Sequence, residues 1–317
     1  MRSGVLILAA LSAFATSPTV LPAQTQGGGK VVLVTGASSG IGRRITEVLA
    51  AKGHQVYAGA RKPEDLAALN RIPNVRSVRL DVTSDADIAA AVATVRNGGR
   101  GLDGVVNNAG VAIIGPLIET EERDLRWLFD VNVYGPYRIT KAFAPLLIES
   151  KGRVVNISSI SGILSGPLLG SYSMSKHAIE AFGDALGAEM GRFGVRVSLV
   201  EPGNYRSEIG QNLLARLGSV DSAVKDSRFE AMQRQVFNAM GGYDNYPEPD
   251  DVAEATLDAL TSAMPKMRYM VVPAARQAEV TIRKAIEELV QLNQSHRFSY
   301  DRDTLVKMLD EALARLK

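Results

Sequence analysis

Residues 31–42 have the sequence VVLVTGASSGIG, in which four apolar residues lead into a glycine-rich turn. A helix is predicted to begin directly afterwards, near Arg43. Glycine in such a turn lets the backbone approach a pyrophosphate closely, and the helix N-terminus supplies unpaired N–H groups and partial positive charge. The spacing is GxxxGxG instead of the more familiar GxGxxG. The segment therefore predicts a dinucleotide-binding strand–turn–helix unit.

The rest of the chain alternates short apolar runs with segments of helix length. Most of these runs are apolar on both faces, which is typical of a parallel sheet covered by helices on each side. We therefore predict an α/β fold, a doubly wound parallel sheet of about seven strands (Rossmann fold) with three α/β/α layers. Residues Thr120–Ile148 are predicted to form one helix, bent because of Pro136 and Pro145. The predicted strands are Val31–Val34, Gln55–Ala60, Val75–Leu80, Gly104–Asn107, Arg153–Ile157, Val195–Val200 and Tyr269–Val272.

Composition excludes several classes of function. The 317 residues are 46% hydrophobic and 22% charged, as in an ordinary globular protein, and include no cysteine, so disulfides, thiolate zinc sites and cysteine nucleophiles are excluded. A formal net charge of +2 argues against nucleic acid as a partner and favours a small molecule. His54 and His296 lack partners at metal-ligand spacing, so no metal is proposed.

Residues 1–29 differ from the remainder. Arg2, an apolar run at 5–15 and small residues near 13–23 resemble a secretory signal, and the run is too short to span a bilayer. An upstream start codon or an uncleaved membrane tether explains the same pattern. Because the expected dinucleotide is found inside cells, we predict a cytoplasmic location, with export as the alternative. We divide the chain into this segment and linker, a domain at 30–275 with a substrate lid at about 204–247, and a helical extension at 276–317.

The end of the second strand bears on the choice of cofactor. NAD-binding folds usually place an acidic residue there, on the ribose 2′-hydroxyl, but this chain has Arg61 followed by Lys62. An arginine can clamp a 2′-phosphate in bidentate fashion, and we expect Arg43 and Arg44 to lie close enough to assist. The alternative is that Arg61 and Lys62 are solvated turn residues. We predict NADP(H) as the preferred cofactor, with NAD(H) possible.

Tyr172 and Lys176 lie four residues apart at the start of a predicted helix, so both project from one face. A free tyrosine titrates near pH 10, and lowering that value by about three pH units requires roughly 4 kcal/mol. A nearby ammonium and a cationic nicotinamide ring both favour the phenolate. The pair is therefore a candidate proton donor and acceptor, although YxxxK spacing alone is also common in ordinary helices.

Further motifs occur in a consistent order. The segment Asn156-Ile-Ser-Ser159 closes the fifth strand, with Ser159 thirteen residues before Tyr172. Asn132 lies forty residues before the same tyrosine, the turn 107–110 (NNAG) follows the fourth strand, and Pro202-Gly203 follows the sixth. With the TGxxxGIG and YxxxK motifs, the chain resembles the short-chain dehydrogenase/reductase family, compact subgroup, over about residues 30–273.

The resemblance implies a role for each matching residue. Tyr172 matches the catalytic acid/base, Lys176 its activator, and Ser159 the hydroxyl that holds the substrate oxygen, with Ser158 as the adjacent alternative. Asn132 matches an asparagine associated with a proton-relay water. His177 points about 100° away from the Tyr172 face and is interpreted as structural. The implied cofactor-binding residues are Gly36, Ser38, Ser39, Gly40, Ile41, Gly42, Arg61, Asp81, Val82, Asn108, Ala109, Gly110, Tyr172, Lys176, Pro202, Gly203 and Ser207, the last in place of the usual threonine.

The segment between Gly203 and Pro249 covers the substrate in members of this family. Here it is rich in apolar residues, which favours a hydrophobic ketone or secondary alcohol that is steroid-, retinoid- or lipid-like. Packing between helices is the alternative explanation. The apolar residues concerned are Tyr205, Ile209, Leu213, Leu214, Phe229, Met232, Val236, Phe237, Met240, Tyr243 and Tyr246.

The C-terminal extension carries Leu305, Met308, Leu309, Ala312 and Leu316 at helical spacing, which predicts an amphipathic helix. It is expected to pack on its own domain or on a partner subunit, and we expect a homo-oligomer, dimer or tetramer. The whole pattern predicts an NADP(H)-dependent oxidoreductase with no stable membrane span. A non-catalytic NADP-binding regulatory protein and a related lyase or epimerase remain as alternatives.

Overall fold

The computed structural model describes residues 28–212, 220–240, 245–294 and 296–315, apart from the side chains of residues 222, 223, 239 and 240. The signal-like segment, and the predicted lid residues Leu213, Leu214 and Tyr243, lie outside this description. So do Leu316 and the side chain of Met240.

A single seven-stranded sheet forms the centre of the described chain, and all of its strand pairs are parallel. The strand order is β3-β2-β1-β4-β5-β6-β7, so the predicted doubly wound α/β fold is confirmed. The strands agree with the predicted ones to within two residues, and the sixth extends through Pro202. Their bounds are β1 Val31–Val34, β2 Gln55–Ala60, β3 Val75–Arg79, β4 Gly104–Asn107, β5 Arg153–Ile157, β6 Arg196–Pro202 and β7 Arg268–Val271.

Helices cover both faces of this sheet. Helices α1, α2 and α9 pack on one face, and α3, α5 and the end of α6 pack on the other. Short 3₁₀ turns lie at Leu117–Glu119 and Ile160–Gly162. Among the described residues, the α-helices are α1 Gly40–Ala51, α2 Pro63–Leu69, α3 Asp85–Asn97, α4 Glu122–Phe129, α5 Gly135–Ser150, α6 Gly170–Gly191, α7 Val220–Val224, α8 Glu230–Met240, α9 Asp250–Thr261, α10 Ala275–Asn293 and α11 Arg302–Ala314.

Strand β1 shows why the sequence forms this sheet. Val32 and Val34 face one apolar cluster, whereas Val31 and Leu33 face the other, and all four are buried. Because side chains alternate along a strand, a run that is apolar at every position requires cover on both faces. This burial holds the end of β1, and the turn that follows it, in a fixed position.

The predicted helix at 120–148 is divided in the structure. Helix α4 ends at Phe129, a π-helical turn occupies Asp130–Tyr134, and α5 continues from Gly135. The irregularity therefore lies before the prolines: Pro136 stands in the first turn of α5, where no intrahelical N–H is needed, and Pro145 lies within a continuous helix. The wider π turn carries Asn132, one of the predicted site residues.

The C-terminal helix is present and amphipathic, as the spacing predicts. However, none of the described residues of α11 is buried, and Leu309 and Leu313 remain more than half exposed. The helix therefore does not bury its apolar face on its own domain, and contact with a partner subunit stays a prediction. No helix in the described ranges is long and apolar enough to cross a membrane.

Candidate active site

A cleft runs along the edge of the sheet where the parallel strands have their carboxyl ends. Fourteen predicted site residues line it: Gly36, Ser38, Ser39, Gly40, Ile41, Arg61, Asp81, Val82, Asn108, Ala109, Gly110, Tyr172, Lys176 and Ser207. Gly42, Asn132, Ser159, Pro202 and Gly203 lie behind this wall or beside it. Val111, Trp127, Glu208 and Asn212 also line it and were not predicted, whereas Ile209 was predicted as part of the apolar lid.

The glycine-rich turn needs its glycines for two different reasons. Gly36 and Gly40 adopt φ values of +63° and +51°, a left-handed conformation that other residues rarely adopt. At Gly42 the limit is space, because a Cβ atom there would lie 2.2 Å from Asn108 Nδ2 and 2.2 Å from the Gly36 carbonyl oxygen. The turn therefore presents backbone N–H groups at the start of α1, which is the arrangement that binds a pyrophosphate.

A hydrogen-bond clamp joins this turn to the loop after β4. Asn108 Nδ2 donates to the carbonyl oxygens of Thr35 and Gly36, both at 3.0 Å. The Thr35 hydroxyl accepts from the backbone N–H groups of Asn108 at 3.0 Å and Ala109 at 3.1 Å. Asn108 thus shapes the turn as well as lining the cleft. Thr35 was not assigned a role from the sequence, although its position directly before Gly36 was a usable signal.

Charged groups gather at the far end of the cleft, after β2 and β3. The Asp81 carboxylate accepts from the Thr83 N–H at 2.9 Å and hydroxyl at 2.7 Å, and it lies 3.9 Å from Arg61. Partial burial opposes ionisation, but these hydrogen bonds and the charges of Arg61 and Arg79 outweigh it and lower the pKa of Asp81. Arg61 is 70% exposed and lines the cleft, whereas the Arg79 guanidinium, 67% exposed, lies 3.5 Å from Asp87 and donates to the Arg61 carbonyl oxygen at 3.3 Å.

The expectation that Arg43 and Arg44 assist at the cofactor is wrong. Arg43 Nε donates to Glu47 at 2.7 Å, and Arg44 binds Glu47 and Asp250 at the start of α9. Neither arginine lines the cleft. Arg43 and Arg44 are neighbours on α1, so their side chains project about 100° apart, and both lie against the carboxylate of Glu47.

Tyr172 and Lys176 lie together at the other end of the cleft, in the first turns of α6. Lys176 Nζ is 5.6 Å from the centre of the Tyr172 ring and donates to the Ile157 carbonyl oxygen at 2.9 Å. Burial lowers the pKa of Lys176 to about 8, and the negative charge of Glu180 acts in the opposite direction. The predicted pairing of this tyrosine and lysine on one helical face is therefore present.

The two candidate serines occupy different positions after β5. Ser159 Oγ accepts from the Ser161 N–H at 3.0 Å and donates to the Pro202 carbonyl oxygen at 3.5 Å. Ser158 lines the cleft, and its buried hydroxyl has no hydrogen-bond partner among the described residues. Both serines directly follow Ile157, whose carbonyl oxygen accepts from Lys176, but of the two only Ser158 lines the cleft.

Asn132 holds three elements together from the π turn. Its Oδ1 accepts from the Val111 N–H at 2.8 Å, and its Nδ2 donates to the Val111 carbonyl oxygen at 2.9 Å and to Ser175 Oγ at 3.0 Å. This side chain connects the β4 loop to helix α6 instead of bonding within its own helix. Its association with a relay water stays a prediction.

The remaining predicted residues have clear positions. Ser207 packs against Gly40, where an added Cβ atom would lie 3.1 Å from Ser207 Cα. A Cβ atom on Gly203 would collide with Gln277 Oε1 at 2.1 Å, so this glycine permits close contact with α10. His177 Nδ1 lies 2.9 Å from the Ser173 carbonyl oxygen and lines an outer groove, which agrees with a structural role.

The described part of the lid divides its apolar residues between packing and the cleft. Phe237 packs in a small cluster with Ile114, Leu168 and Val224, and Tyr205 is buried with its hydroxyl 3.2 Å from Asp251. Ile209, by contrast, lines the cleft. Packing between helices therefore explains part of the predicted apolar stripe, and substrate cover remains for the residues that face the cleft.

A dinucleotide fits this cleft by the chemistry of its donors. Exposed arginines lie at one end, the glycine-rich turn and helix N-terminus at the centre, and a buried ammonium beside a phenol at the other end. Such a sequence of groups matches an adenosine, a pyrophosphate and a nicotinamide ribose in that order.

Comparison with known proteins identifies the family. The sequence profile described as short chain dehydrogenase matches residues 30–217. The chain is 35% identical to the mitochondrial D-beta-hydroxybutyrate dehydrogenase of Rattus norvegicus, over 76% of each chain. It is 36% identical to the NADPH-dependent 3-dehydrocapnine reductase of Ornithobacterium rhinotracheale, over 77% of this chain and 88% of that one. It is also 35% identical to retinol dehydrogenase 5 of Mus musculus, over 75% and 79% respectively.

Solved structures agree with the sequence comparison. A short-chain dehydrogenase/reductase from Burkholderia phymatum in complex with NAD has a TM-score of 0.70 and 26% identity, covering 86% of this chain and 98% of that one. A short-chain dehydrogenase from Burkholderia cenocepacia in complex with NADP has a TM-score of 0.63 and 26% identity, covering 83% and 95%. The chain belongs to the short-chain dehydrogenase/reductase family and is an oxidoreductase acting on alcohol and ketone groups.

Proposed function

We propose that the chain is an NADP(H)-dependent oxidoreductase that interconverts hydrophobic ketones and secondary alcohols. The observation that carries the proposal is the buried Lys176 ammonium, 5.6 Å from the Tyr172 ring, at the end of a dinucleotide-shaped cleft. A non-catalytic regulatory protein does not require this pair. The presence of Asn132, Ser159, Tyr172 and Lys176 together therefore favours catalysis.

A nicotinamide held at the Tyr172 and Lys176 end of the cleft would supply hydride transfer to a carbonyl carbon, or from an alcohol carbon. Tyr172 donates its phenolic proton to the carbonyl oxygen during reduction and takes it back during oxidation. The Lys176 ammonium stabilises the phenolate left behind, because opposite charges close together favour the ionised form. A serine hydroxyl after β5 orients the substrate oxygen, and the spacing to Tyr172 favours Ser159 over Ser158.

Preference for NADP(H) rests on Arg61, which follows β2, lines the cleft and is largely exposed. Arg79 ends β3 beside it, bound to Asp87 and to the Arg61 carbonyl oxygen. Arg79 was not identified from the sequence. Asp81 lies 3.9 Å from Arg61, so the pair must open slightly to admit a phosphate.

The cofactor preference is tested by the ratio of kcat/KM with NADPH to that with NADH. A hydrogen bond to a charged group contributes about 1.5–3 kcal/mol, so Arg61→Ala is expected to lower the ratio by roughly 10–100-fold. Lys62→Ala is the matched control, because Lys62 is the adjacent cation and does not line the cleft. An unchanged ratio in Arg61→Ala would remove this residue from the role.

The proposed substrate class follows from apolar residues around the tyrosine end of the cleft. Ile209 and Trp127 line the cleft, and an adjoining groove is lined by Leu168, Met174, Phe229 and Met232. Two similar proteins have names that refer to retinol and to 3-dehydrocapnine, whereas another refers to D-beta-hydroxybutyrate, a small hydroxy acid. Apolar walls of this kind favour the larger substrates.

A panel of carbonyl compounds separates these possibilities. Steroid ketones, retinal, long-chain aliphatic ketones, quinones and acetoacetate are each added to enzyme and NADPH, and consumption of NADPH is followed by absorbance. We expect the highest kcat/KM with a long apolar ketone. Activity confined to acetoacetate would contradict the proposed class, and product formation without net NADPH consumption would indicate a lyase or epimerase.

We also propose a homo-oligomer, dimer or tetramer. The support is the exposed apolar face of α11, which includes Val306, Leu309 and Leu313. Light scattering on the full chain tests the proposal, and a monomer at micromolar concentration would contradict it.

A further inference from the structure

Two buried acidic side chains lie behind the cleft, outside its lining. Glu180 is on α6, one helical turn beyond Lys176, and Glu201 is near the end of β6. Their side chains are 11% and 3% exposed, and Oε1 of each has no hydrogen-bond partner among the described residues. Sequence analysis gave neither residue a role.

One arginine faces this pair. Arg268 on β7 places its Nε 3.1 Å from Glu180 and 3.4 Å from Glu201, while its NH2 group binds the exposed Asp184 at 2.7 Å. A single guanidinium therefore meets three carboxyl groups. Two buried carboxylates in contact repel each other, so such a pair retains one proton.

Burial and the charge of Glu180 raise the pKa of Glu201 to about 8, and Arg268 opposes this only in part. Glu201 is also the more deeply buried of the two, and Glu180 Oε2 lies closer to Arg268 than Glu201 Oε1 does.

Lys176 needs a counter-charge. Its ammonium donates a hydrogen bond to the Ile157 carbonyl oxygen, a neutral acceptor, and burial disfavours its charged form. Glu180 acts against this burial, since residues four apart on a helix lie on the same face. The charged groups around Glu180 are Lys176 and Asp184 on α6, Glu201 on β6 and Arg268 on β7.

Gly162 lets Glu180 approach the wall of the cleft. A Cβ atom on Gly162 would lie 2.8 Å from Glu180 Cγ and 3.1 Å from Ser158 Oγ. In the described structure, Glu180 Oε1 and Ser158 Oγ both lack hydrogen-bond partners. The carboxylate thus lies directly behind a residue that lines the cleft, without contacting the reacting groups.

We propose that Glu180 is a positioning residue: its buried carboxylate, held by Arg268 one helical turn beyond Lys176, keeps the Lys176 ammonium charged. Glu201 serves as the neutral member of the acidic pair. The inference rests on the proposed role of Lys176 in activating Tyr172.

The test is a direct titration of Lys176 by NMR in full-length protein labelled with [ε-¹³C]lysine, with the signal assigned by its loss in Lys176→Arg. Glu180→Gln is expected to lower the midpoint of the Lys176 titration by about one pH unit or more, because a nearby opposite charge is removed. Glu201→Gln is the matched control, since glutamine resembles a protonated glutamate, and it should shift the midpoint by less than Glu180→Gln does.

Glu180→Asp keeps the charge but withdraws it by one methylene, so it should lower the midpoint by less than Glu180→Gln does. This variant decides the matter if the glutamine variant does not fold. An unchanged midpoint in Glu180→Asp and Glu180→Gln, or equal shifts in Glu180→Gln and Glu201→Gln, would overturn the proposal.

The pH profile of alcohol oxidation gives a second readout. Loss of the Lys176 charge raises the pH at which the tyrosine ionises, so the ascending limb of kcat/KM should move to higher pH in Glu180→Gln and not in Glu201→Gln. The NMR result does not depend on any substrate. A failure of the proposed function would therefore leave the Lys176 titration intact, whereas a failure of this inference would leave Tyr172-dependent turnover intact.

Discussion

The cofactor side of the cleft and the substrate lid are held by different kinds of interaction. The turn after β1 is fixed by hydrogen bonds from Asn108 and Thr35 and by glycines that tolerate no side chain. The described part of the lid is held by a small apolar cluster around Phe237 and by a tether from Glu119. A nucleotide common to the family demands fixed geometry, whereas an apolar substrate tolerates an adjustable wall.

The two regions are also expected to differ in the free energy needed to open them. The clusters on either face of the sheet are extensive and continuous, whereas the lid cluster contains few buried residues. Regions with few buried contacts open locally at lower free energy than the core. We therefore expect the lid to open without unfolding of the cofactor side.

The largest expected effect is a difference in the free energy of unfolding between two phenylalanine substitutions. Phe143 is fully buried on α5 under the sheet, and Phe237 is nearly as buried within the lid. Phe143→Ala should lower the free energy of unfolding by about 3–5 kcal/mol. Phe237→Ala should lower it by less than Phe143→Ala does, because the lid opens locally before the core unfolds, and it should raise KM for apolar substrates. Urea denaturation and steady-state kinetics measure both, and equal destabilisation would contradict the division.

The next effect concerns the glycine-rich turn. Gly42→Ala places a methyl group 2.2 Å from Asn108 Nδ2, so the turn must shift, at a cost of about 1–3 kcal/mol. Affinity for NADPH, measured by fluorescence titration, should fall at least tenfold. Gly191→Ala is the control, since a Cβ atom at the end of α6 meets open space. Normal affinity in Gly42→Ala would show that the turn is more adaptable than the lid comparison implies.

The free energy of unfolding is expected to depend on pH because of Glu201, near the end of β6. The pKa of Glu201 is about 8 in the folded chain against 4.5 for an ordinary glutamate. Between these values the folded chain retains a proton that the unfolded chain has lost, so stability falls as pH rises, by at most about 1.4 kcal/mol per pH unit.

Glu201→Gln removes this fall, so the variant should gain stability relative to the parent protein as pH rises from 5 to 8. Chemical denaturation at a series of pH values measures the difference. Asp184→Asn serves as the control because Asp184 binds the same arginine at the exposed surface. A constant difference between Glu201→Gln and the parent protein would exclude a buried proton on Glu201.

The smallest effect concerns the lid tether. The Glu119 carboxylate accepts from Ser227 Oγ at 2.6 Å and from the Arg228 N–H at 3.0 Å, at an exposed site. Glu119→Gln should change the free energy of unfolding by less than about 1 kcal/mol, since exposed charged contacts contribute little. KM for an apolar ketone should change a few-fold. The ratio of kcat/KM with NADPH to kcat/KM with NADH should stay the same. A large loss of stability would show that the lid is part of the core.

The contrast between the two regions also explains what the sequence could predict. Gly36, Gly42 and the Tyr172–Lys176 pair were predictable because a tight turn and a shared helical face restrict residue type and spacing. The partners of Arg44 and the position of Arg79 were not, because long side chains find their contacts through tertiary packing. Asp250 is 206 positions from Arg44 along the chain, and no local pattern joins them.

The lid and the acidic pair show the same limit. Apolar residues such as Phe237 and Ile209 look alike in sequence, yet one packs inside the lid and the other lines the cleft. Glu180 is on helix α6 and Glu201 is on strand β6. These two elements become neighbours only through the order of the strands in the sheet. Spacing along the chain predicts residues that act together within one turn or helix. Contacts between residues far apart in sequence depend on which side chains the fold buries together.

The most direct test of the central claim is Tyr172→Phe, measured for both NADPH binding and turnover of the best ketone substrate. The substitution removes one hydroxyl and keeps the ring beside Lys176. We predict a dissociation constant for NADPH within a factor of about two of the parent value, with kcat lower by roughly 10²–10⁴-fold, the usual contribution of a general acid. Turnover close to that of the parent protein would contradict the assignment of Tyr172 as the proton donor.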